Sequence, residues 1–367
     1  MLDYNNPKLL IPNLNDIEPS AVAWRSPSNI ALIKYWGKHG IQLPKNPSIS
    51  FTLENAYTET YFEYAPKSSN DGQIDLDFTF EGESNETFAK KVKAFLESIL
   101  PIFPFLSQLS LTIDSGNSFP HSAGIASSAS SMSALALCLC TIEDELFGTL
   151  EGDEAFHRKA SYVARLGSGS ACRSIYGTMA LWGETPLLKG SSDFYAIAYE
   201  EVHEIFRHFQ NDILIVSTDE KSVSSRVGHG LMENNPYAPT RFQQAKDHLK
   251  NLLPALKSGD LEKFGQIVEA EALTLHALMM TSNPSFILMQ PNSLEIIQHI
   301  QHFRKETGHP VFFTLDAGPN IHVLYPENII HEVRPFVDEV LAPLCEQSMY
   351  IPDFVGEGPG ELEIEME

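Results

Sequence analysis

The chain has 367 residues, with 25 Lys and Arg against 48 Asp and Glu, a formal net charge of -23 at pH 7. That balance argues against nucleic acid or an anionic membrane surface as partner, and makes any anion site a local exception built from particular cations and backbone amides. With 43% hydrophobic and 20% charged residues the composition is globular, and the length suits two packed lobes rather than one.

The four cysteines, Cys138, Cys140, Cys172 and Cys345, show neither metal-ligand spacing nor a disulfide framework, so reduced core thiols are expected. No signal peptide and no long apolar span is evident, which makes the cytoplasm the expected location.

Residues 1–20 are polar and rich in Pro and Asn, and read as an extended surface arm. A first lobe is expected over 21–205. AVAWRSPS (21–28) reads as a strand with a turn, and NIALIKYWGKHG as a crossing segment. A loop through Pro44 and Pro47 then leads to the alternating strand SISFTL. TETYFEYAP and IDLDFTFEG alternate too; joined by polar KSSNDGQ, they predict a hairpin. An amphipathic helix over 84–100 and a strand over 109–113 precede the Ser-rich stretch FPHSAGIASSASSMSA. A buried helix follows over about 128–145 and another over 154–166. GSGSACRSIYG reads as a turn, TMALWG as a strand, and 184–200 loses regular pattern.

A second lobe is expected over 206–367. It opens on a strand over 212–217 and continues with helical patterns over 239–256, 260–279 and 291–307. VFFTLDAGPN runs from a strand into a Gly-Pro turn, and IHVLY is another strand. The acidic, Gly-rich end reads as either a strand or a loose tail.

Four stretches carry chemistry. In FPHSAGIASSASSMSA, Gly124 lets a backbone approach a ligand, and the N–H groups of the following helix N-terminus suit a polyphosphate. Hydroxyls of Ser127, Ser128 and Ser130 are placed to complete the cradle or reach a phosphate-bound Mg²⁺. The competing reading is a Ser-rich loop that only caps a core helix. KYWGK sets Lys34 and Lys38 beside Tyr35 and Trp36, aromatics whose polar tips want partners. GSGSACR offers Ser168, Ser170 and the fork of Arg173, suited to a carboxylate or phosphate. DAGPN places Asp316 at the exposed end of an apolar strand, where the alternative is a turn aspartate.

PHSAGIASSA resembles the phosphate loop of the GHMP small-molecule kinases. SPSNIALIKYWGK, ASSAS, GSGSACRSIYG, SSR and DAGPN, in that order between about Ser26 and Tyr325, resemble the mevalonate diphosphate decarboxylase branch of that superfamily. The resemblance implies an α+β, two-lobed GHMP-kinase-like fold with its active site in the cleft between the lobes. It implies a homodimer acting on a phosphorylated mevalonate with ATP and Mg²⁺. Such enzymes phosphorylate the tertiary 3-hydroxyl of mevalonate 5-diphosphate and then lose phosphate and CO₂ to give isopentenyl diphosphate.

By that resemblance Asp316 is the catalytic carboxylate and Lys34 its ionic partner. Ser128 orients the transferred phosphate, with Ser127 and Gly124 shaping the loop. Ser168, Ser170 and Arg173 hold the substrate carboxylate, and Tyr35, Lys38, Ser225 and Arg226 attend its diphosphate. Leu166, His39-Gly40, Ser131 and the Val227-Gly228-His229-Gly230 run depart from the branch's usual pattern. A decarboxylase of the monophosphate, a mevalonate 3-kinase and a catalytically silent nucleotide-binding relative are the alternatives.

Overall fold

The computed structural model describes residues 4–69, 71–120, 127–219 and 222–364. Its first half runs β1 (Ser20–Ala31), β2 (Lys38–His39), β3 (Leu43–Pro44), β4 (Ser48–Pro66), β5 (Asp75–Phe80), β6 (Glu83–Ser84), α1 (Glu86–Ser98), β7 (Leu109–Asn117), α2 (Ser127–Phe147), α3 (Asp153–Gly167), β8 (Met179–Trp182) and β9 (Ala196–Ala198). The second half runs β10 (Gln210–Leu214), α4 (Ser225–Gly230), α5 (Ala238–Ser258), α6 (Leu261–Met280), α7 (Pro291–Thr307), β11 (Phe312–Thr314), β12 (Ile321–Tyr325), α8 (Ile330–Phe336), β13 (Tyr350–Ile351) and β14 (Gly360–Glu361).

Two sheets organise these elements into the α+β, two-lobed architecture. The larger has the order β14-β1-β4-β7-β5-β6, with β8 beside β4 and β9 beside β8; the smaller has the order β11-β12-β10-β13. Phe62, Tyr64, Leu109, Leu111 and Ile113 alternate onto the buried face of the larger sheet, against Leu135, Leu137, Leu139 and Ile142 of α2. All four cysteines are buried and free, and burial pushes the Cys172 thiol up to about 12.

Three strand readings are corrected. SPS makes no turn: β1 continues to Ala31, and a register shift between Pro27 and Asn29 absorbs the proline. SISFTL and TETYFEYAP are one 19-residue strand, β4. The expected hairpin is absent, because β7 lies between β4 and β5 and β5 pairs with it in parallel. Alternation tells which face of a strand is buried, but not which neighbour it takes. The connection over 67–74 is long enough to pass over an intervening strand. The segment read as patternless contains β9, and the acidic end forms β14, antiparallel to β1 at Trp24 and Arg25.

The helices of the second half start and stop where their caps dictate. Asp260 accepts the Lys263 N–H at 3.0 Å to open α6. Gln290 and Ser293 form a reciprocal capping box for α7, which starts at Pro291. Gly259 and Gly308 close α5 and α7 with φ of 77° and 75°.

The two sheets share one core where they meet. Phe51 of β4 packs 5.9 Å from Phe209 and 6.1 Å from Phe264 of α6, and Phe264 lies 4.9 Å from Phe206 and 5.9 Å from Phe312 of β11. Aromatic pairs at such separations contribute about 0.5–1.5 kcal/mol each beyond their area. These aromatics join the two sheets in one buried core.

Candidate active site

A cavity of about 600 Å³ opens where the segment after β1, the N-terminus of α2, the GSGSACR turn, α4 and the turn after β11 converge. Lys34, Tyr35, Lys38, Ser127, Ser128, Ser168, Ser170, Arg173, Ser225, Arg226 and Asp316 all line it. Two named residues are not among them. Gly124 lies outside the described residues. Ser130 is a correction: it is fully buried, its hydroxyl 2.6 Å from Thr58 Oγ1 on β4. Helical phase explains this, since two residues along a helix turn a side chain by about 200°, opposite to Ser128.

Lys34 Nζ donates to Asp316 Oδ1 at 2.9 Å, the lysine buried and the aspartate partly open to the cleft. Burial pulls the ammonium's pKa down, and Asp316 opposes that pull. The Lys34 backbone is fixed on both sides: its N–H donates to Glu271 Oε2 at 2.8 Å, and its carbonyl accepts from Asn46 Nδ2 at 3.1 Å. Glu271, wholly buried on α6, also takes Arg241 Nη2 at 2.5 Å and His248 Nδ1 at 2.6 Å. Burial alone would push this carboxyl up; His248, Arg241 and the Lys34 N–H outweigh it and hold it below the usual range. One turn further along α6, His276 Nε2 sits 3.1 Å from the Asp316 carbonyl. A carbonyl only accepts, so that nitrogen carries the proton.

Arg173 is buried and its hydrogen-bond partners are neutral, although the Asp316 charge reaches it. Nε and Nη2 donate to Asn29 Oδ1 at 3.2 and 3.1 Å, Nε also to Ser50 Oγ at 3.0 Å, and Nη1 to Ser48 Oγ at 2.9 Å. Among the described residues, one N–H on each terminal nitrogen is left for the cleft. Burial pushes the guanidinium's pKa down. A buried cation held by neutral oxygens is a receptor for an anionic ligand.

The turn carrying Arg173 comes close to Tyr35 because Gly169 has no side chain. A Cβ there would meet Trp182 at 2.9 Å and the Tyr35 hydroxyl at 3.0 Å. That hydroxyl is buried without a partner among the described residues, and burial pushes its pKa well above the usual phenol range. Ser128 Oγ faces Ser168 Oγ at 3.2 Å across the cleft wall. Lys38 Nζ donates to Gln42 Oε1 at 2.9 Å; partial burial, and then nearby Arg226, lower its pKa.

A second recess of about 260 Å³ adjoins the first and shares Ser127 and Ser128 with it. Phe78, Phe80, Phe88, Met132 and Leu135 make it apolar, with Lys91 and Asn117 at its polar points. An apolar slot beside a helix N-terminus fits a nucleotide, its base in the slot and its phosphates at the N–H groups. Among the described residues no three His, Cys, Asp or Glu side chains gather as a metal site.

Sequence reading missed Asn29, Glu271, His276 and His229 as parts of the site. Asn29 began the KYWGK-bearing segment and His229 stood in a marked departure, so both had a signal. Glu271 and His276 lie in an apolar helix pattern that reads as core.

Known proteins similar to this chain share its fold and both of its domains. Residues 26–194 match the diphosphomevalonate decarboxylase-like N-terminal domain, and 212–357 the mevalonate 5-diphosphate decarboxylase C-terminal domain. A diphosphomevalonate decarboxylase of Eremothecium gossypii is 32% identical over 82% of this chain and 76% of its own. The mevalonate diphosphate decarboxylase from Enterococcus faecalis superposes with a TM-score of 0.79 at 30% identity, over 95% of this chain and all of that one. A structure described as MDDEF in complex with MVAPP, AMPPCP and magnesium gives 0.80 at 31%, with the same coverage.

Proposed function

The chain belongs to the mevalonate diphosphate decarboxylase family, and from that premise we propose how its cleft divides the work. The protein carries out the ATP-dependent decarboxylation of mevalonate 5-diphosphate to isopentenyl diphosphate, with release of ADP, phosphate and CO₂.

Asp316 accepts a hydrogen bond from the substrate 3-hydroxyl and takes its proton as the new O–P bond forms. Lys34 holds that carboxylate in place and ionised, which makes it an orienting group first and a base late. Ser128 donates to the phosphoryl group in transit, where one fixed donor to developing charge is worth about 2.7–4 kcal/mol. ATP with its Mg²⁺ supplies the phosphoryl group and much of the charge neutralisation that such a loose transition state needs. The apolar recess and Ser127 hold the nucleotide so that its phosphates meet Ser128.

Arg173, Ser168 and Ser170 hold the substrate carboxylate. As the 3-phosphate leaves, positive character grows on the tertiary carbon, and the carboxylate's C–C bonding pair flows toward it, releasing CO₂. Arg173 must fix the carboxylate without withdrawing its electrons. Sharing its guanidinium among Asn29, Ser48 and Ser50 serves that end. Tyr35, Lys38, Ser225 and Arg226 take the diphosphate end.

The observation that carries this reading is a buried Lys34 paired with a cleft-facing Asp316 in the same cavity as a buried Arg173 hydrogen-bonded to neutral groups. Supplying mevalonate 5-diphosphate and mevalonate 5-phosphate separately, and measuring ADP and CO₂, tests it. Equal amounts of both products from the diphosphate are expected. ADP without CO₂ would make the protein a 3-kinase, and preference for the monophosphate would move it to that rival. From the sequence we keep three further proposals: an arm over 1–20, which here packs Leu9 and Ile11 into the first core, with lobes over 21–205 and 206–367, the second of which returns β14 to β1; a homodimer; and a cytoplasmic location. Light scattering on the purified chain tests the dimer. Among the described residues no helix is long and apolar enough to cross a membrane.

A further inference from the structure

We propose that His229 is a specificity-determining residue, its Nε2–H donating a hydrogen bond to the terminal phosphate of the substrate and so favouring a 5-diphosphate over a 5-monophosphate. This rests on the function proposed above and deepens it.

His229 sits on the short helix α4 and is 8% exposed, yet it lines the cleft together with Lys38 and Arg226. Its Nδ1 lies 2.9 Å from the backbone nitrogen of Gly37. A backbone N–H can only donate, so Nδ1 is the bare nitrogen and Nε2 carries the proton. The ring is clamped between Tyr35, 4.4 Å away, and Trp36, 4.5 Å away. Gly228 brings the backbone down onto that indole, since a Cβ there would lie 2.5 Å from Trp36 Cζ2. The imidazole is thus fixed in position and tautomer. None of the described residues accepts from Nε2.

The Nε2–H of this fixed ring opens onto the cleft, so a ligand meets a donor that is already oriented and little freedom is lost on binding. Burial and the nearby Lys38 hold the imidazole neutral, its pKa down to about 3. It therefore offers a donor without adding charge. A phosphate monoester carries a charge of about −1.5 to −2 at pH 7, which the two cations Lys38 and Arg226 already match. A diphosphate brings further acceptor oxygens to the same end, and the free N–H of His229 offers one of them a fixed donor beside Tyr35 and Ser225.

Steady-state kinetics with both phosphorylated mevalonates test this on the full chain. His229→Asn keeps an oxygen where Nδ1 accepts from Gly37 but is too short to replace Nε2. It should raise KM for the diphosphate about 10- to 100-fold, the size of a lost hydrogen bond to a charged group. Its kcat should stay within about threefold, and KM for the monophosphate should hardly move. His229→Gln, long enough to place an N–H near the Nε2 position, should recover most of the loss. Equal losses on the two substrates, an unchanged KM for the diphosphate, or a Gln variant no better than Asn would overturn the assignment. If His229→Asn does not fold, His229→Gln decides alone: a preserved preference supports the contact, and a lost one refutes it. Wild-type protein that releases no CO₂ from the diphosphate would instead defeat the parent reading.

Discussion

Lys34 Nζ lies 2.9 Å from Asp316 Oδ1, and the two partners have opposite surroundings: the lysine side chain is 1% exposed and the aspartate 31%. They are 282 positions apart in the chain. The lysine's charge is thus spent on one carboxylate, and that carboxylate is the part a substrate can touch. Glu271 and Asn46 hold the lysine's backbone, and His276 holds the aspartate's. The pair is rigid before any ligand arrives, which favours catalysis by positioning.

In its proposed role Ser128 donates to developing charge, so Ser128→Ala should lower kcat by several hundredfold, the equivalent of about 2.7–4 kcal/mol. KM for ATP should move far less. A variant with normal kcat and collapsed ATP binding would make Ser128 a ground-state contact.

Arg173→Lys should be poorly tolerated, with kcat/KM down by about 100-fold or more, because an ammonium cannot hold Asn29, Ser48, Ser50 and a carboxylate in one planar fork. Kinetics with the diphosphate substrate at saturating ATP give the answer. Near wild-type turnover would place Arg173 in the framework rather than the site.

Glu271→Gln should destabilise the protein by about 3–5 kcal/mol, as removing one partner leaves Arg241 and the buried core with an uncompensated charge. Equilibrium denaturation in urea reads this directly. A midpoint equal to the wild type's would show that the Glu271, Arg241 and His248 cluster contributes nothing net.

Much of the site was legible because its residues break local expectation. Two lysines among aromatics, an arginine among small residues and an aspartate at a strand end each ask for a partner, and the cleft supplies it. Ser130 could have been excluded from the sequence by helical phase alone. Glu271 and His276 could not have been found, because a buried acid in an amphipathic helix has the same periodicity as its apolar neighbours. The fold was legible wherever caps and turns punctuate it, as at Asp260, Gly259 and Gly308. It was not legible where pairing is non-local, as with β7 inserting beside β4. Nothing in the alternation of TETYFEYAP names Leu109–Asn117 as its neighbour.

Acid should weaken the fold between pH 6.5 and 4. Burial lowers His322, hydrogen-bonded to Asn211, from 6.5 to about 3, and His229 likewise. In that window the unfolded chain binds more protons than the folded one, so their contribution is full above pH 6.5 and is lost as pH falls toward 3. Burial raises Asp212 and Asp353 from 3.8 to about 6, which acts the other way: their contribution is full below 3.8 and lost as pH rises through 6. The histidine windows are the wider, so acid destabilisation should win. Urea denaturation at pH 7 and pH 5 should show the loss, and His322→Gln should show less of it. Identical losses in both proteins would remove His322 from the account.

In the proposed reaction Asp316, held by Lys34, orients and deprotonates the 3-hydroxyl, so that phosphorylation and decarboxylation form one sequence. Asp316→Asn, assayed for ADP and CO₂ with mevalonate 5-diphosphate, tests it most directly. Both products should fall together by about 10²- to 10⁴-fold, while the variant still binds the substrate. An Asn variant that still forms ADP at the wild-type rate, with or without CO₂, would contradict the account.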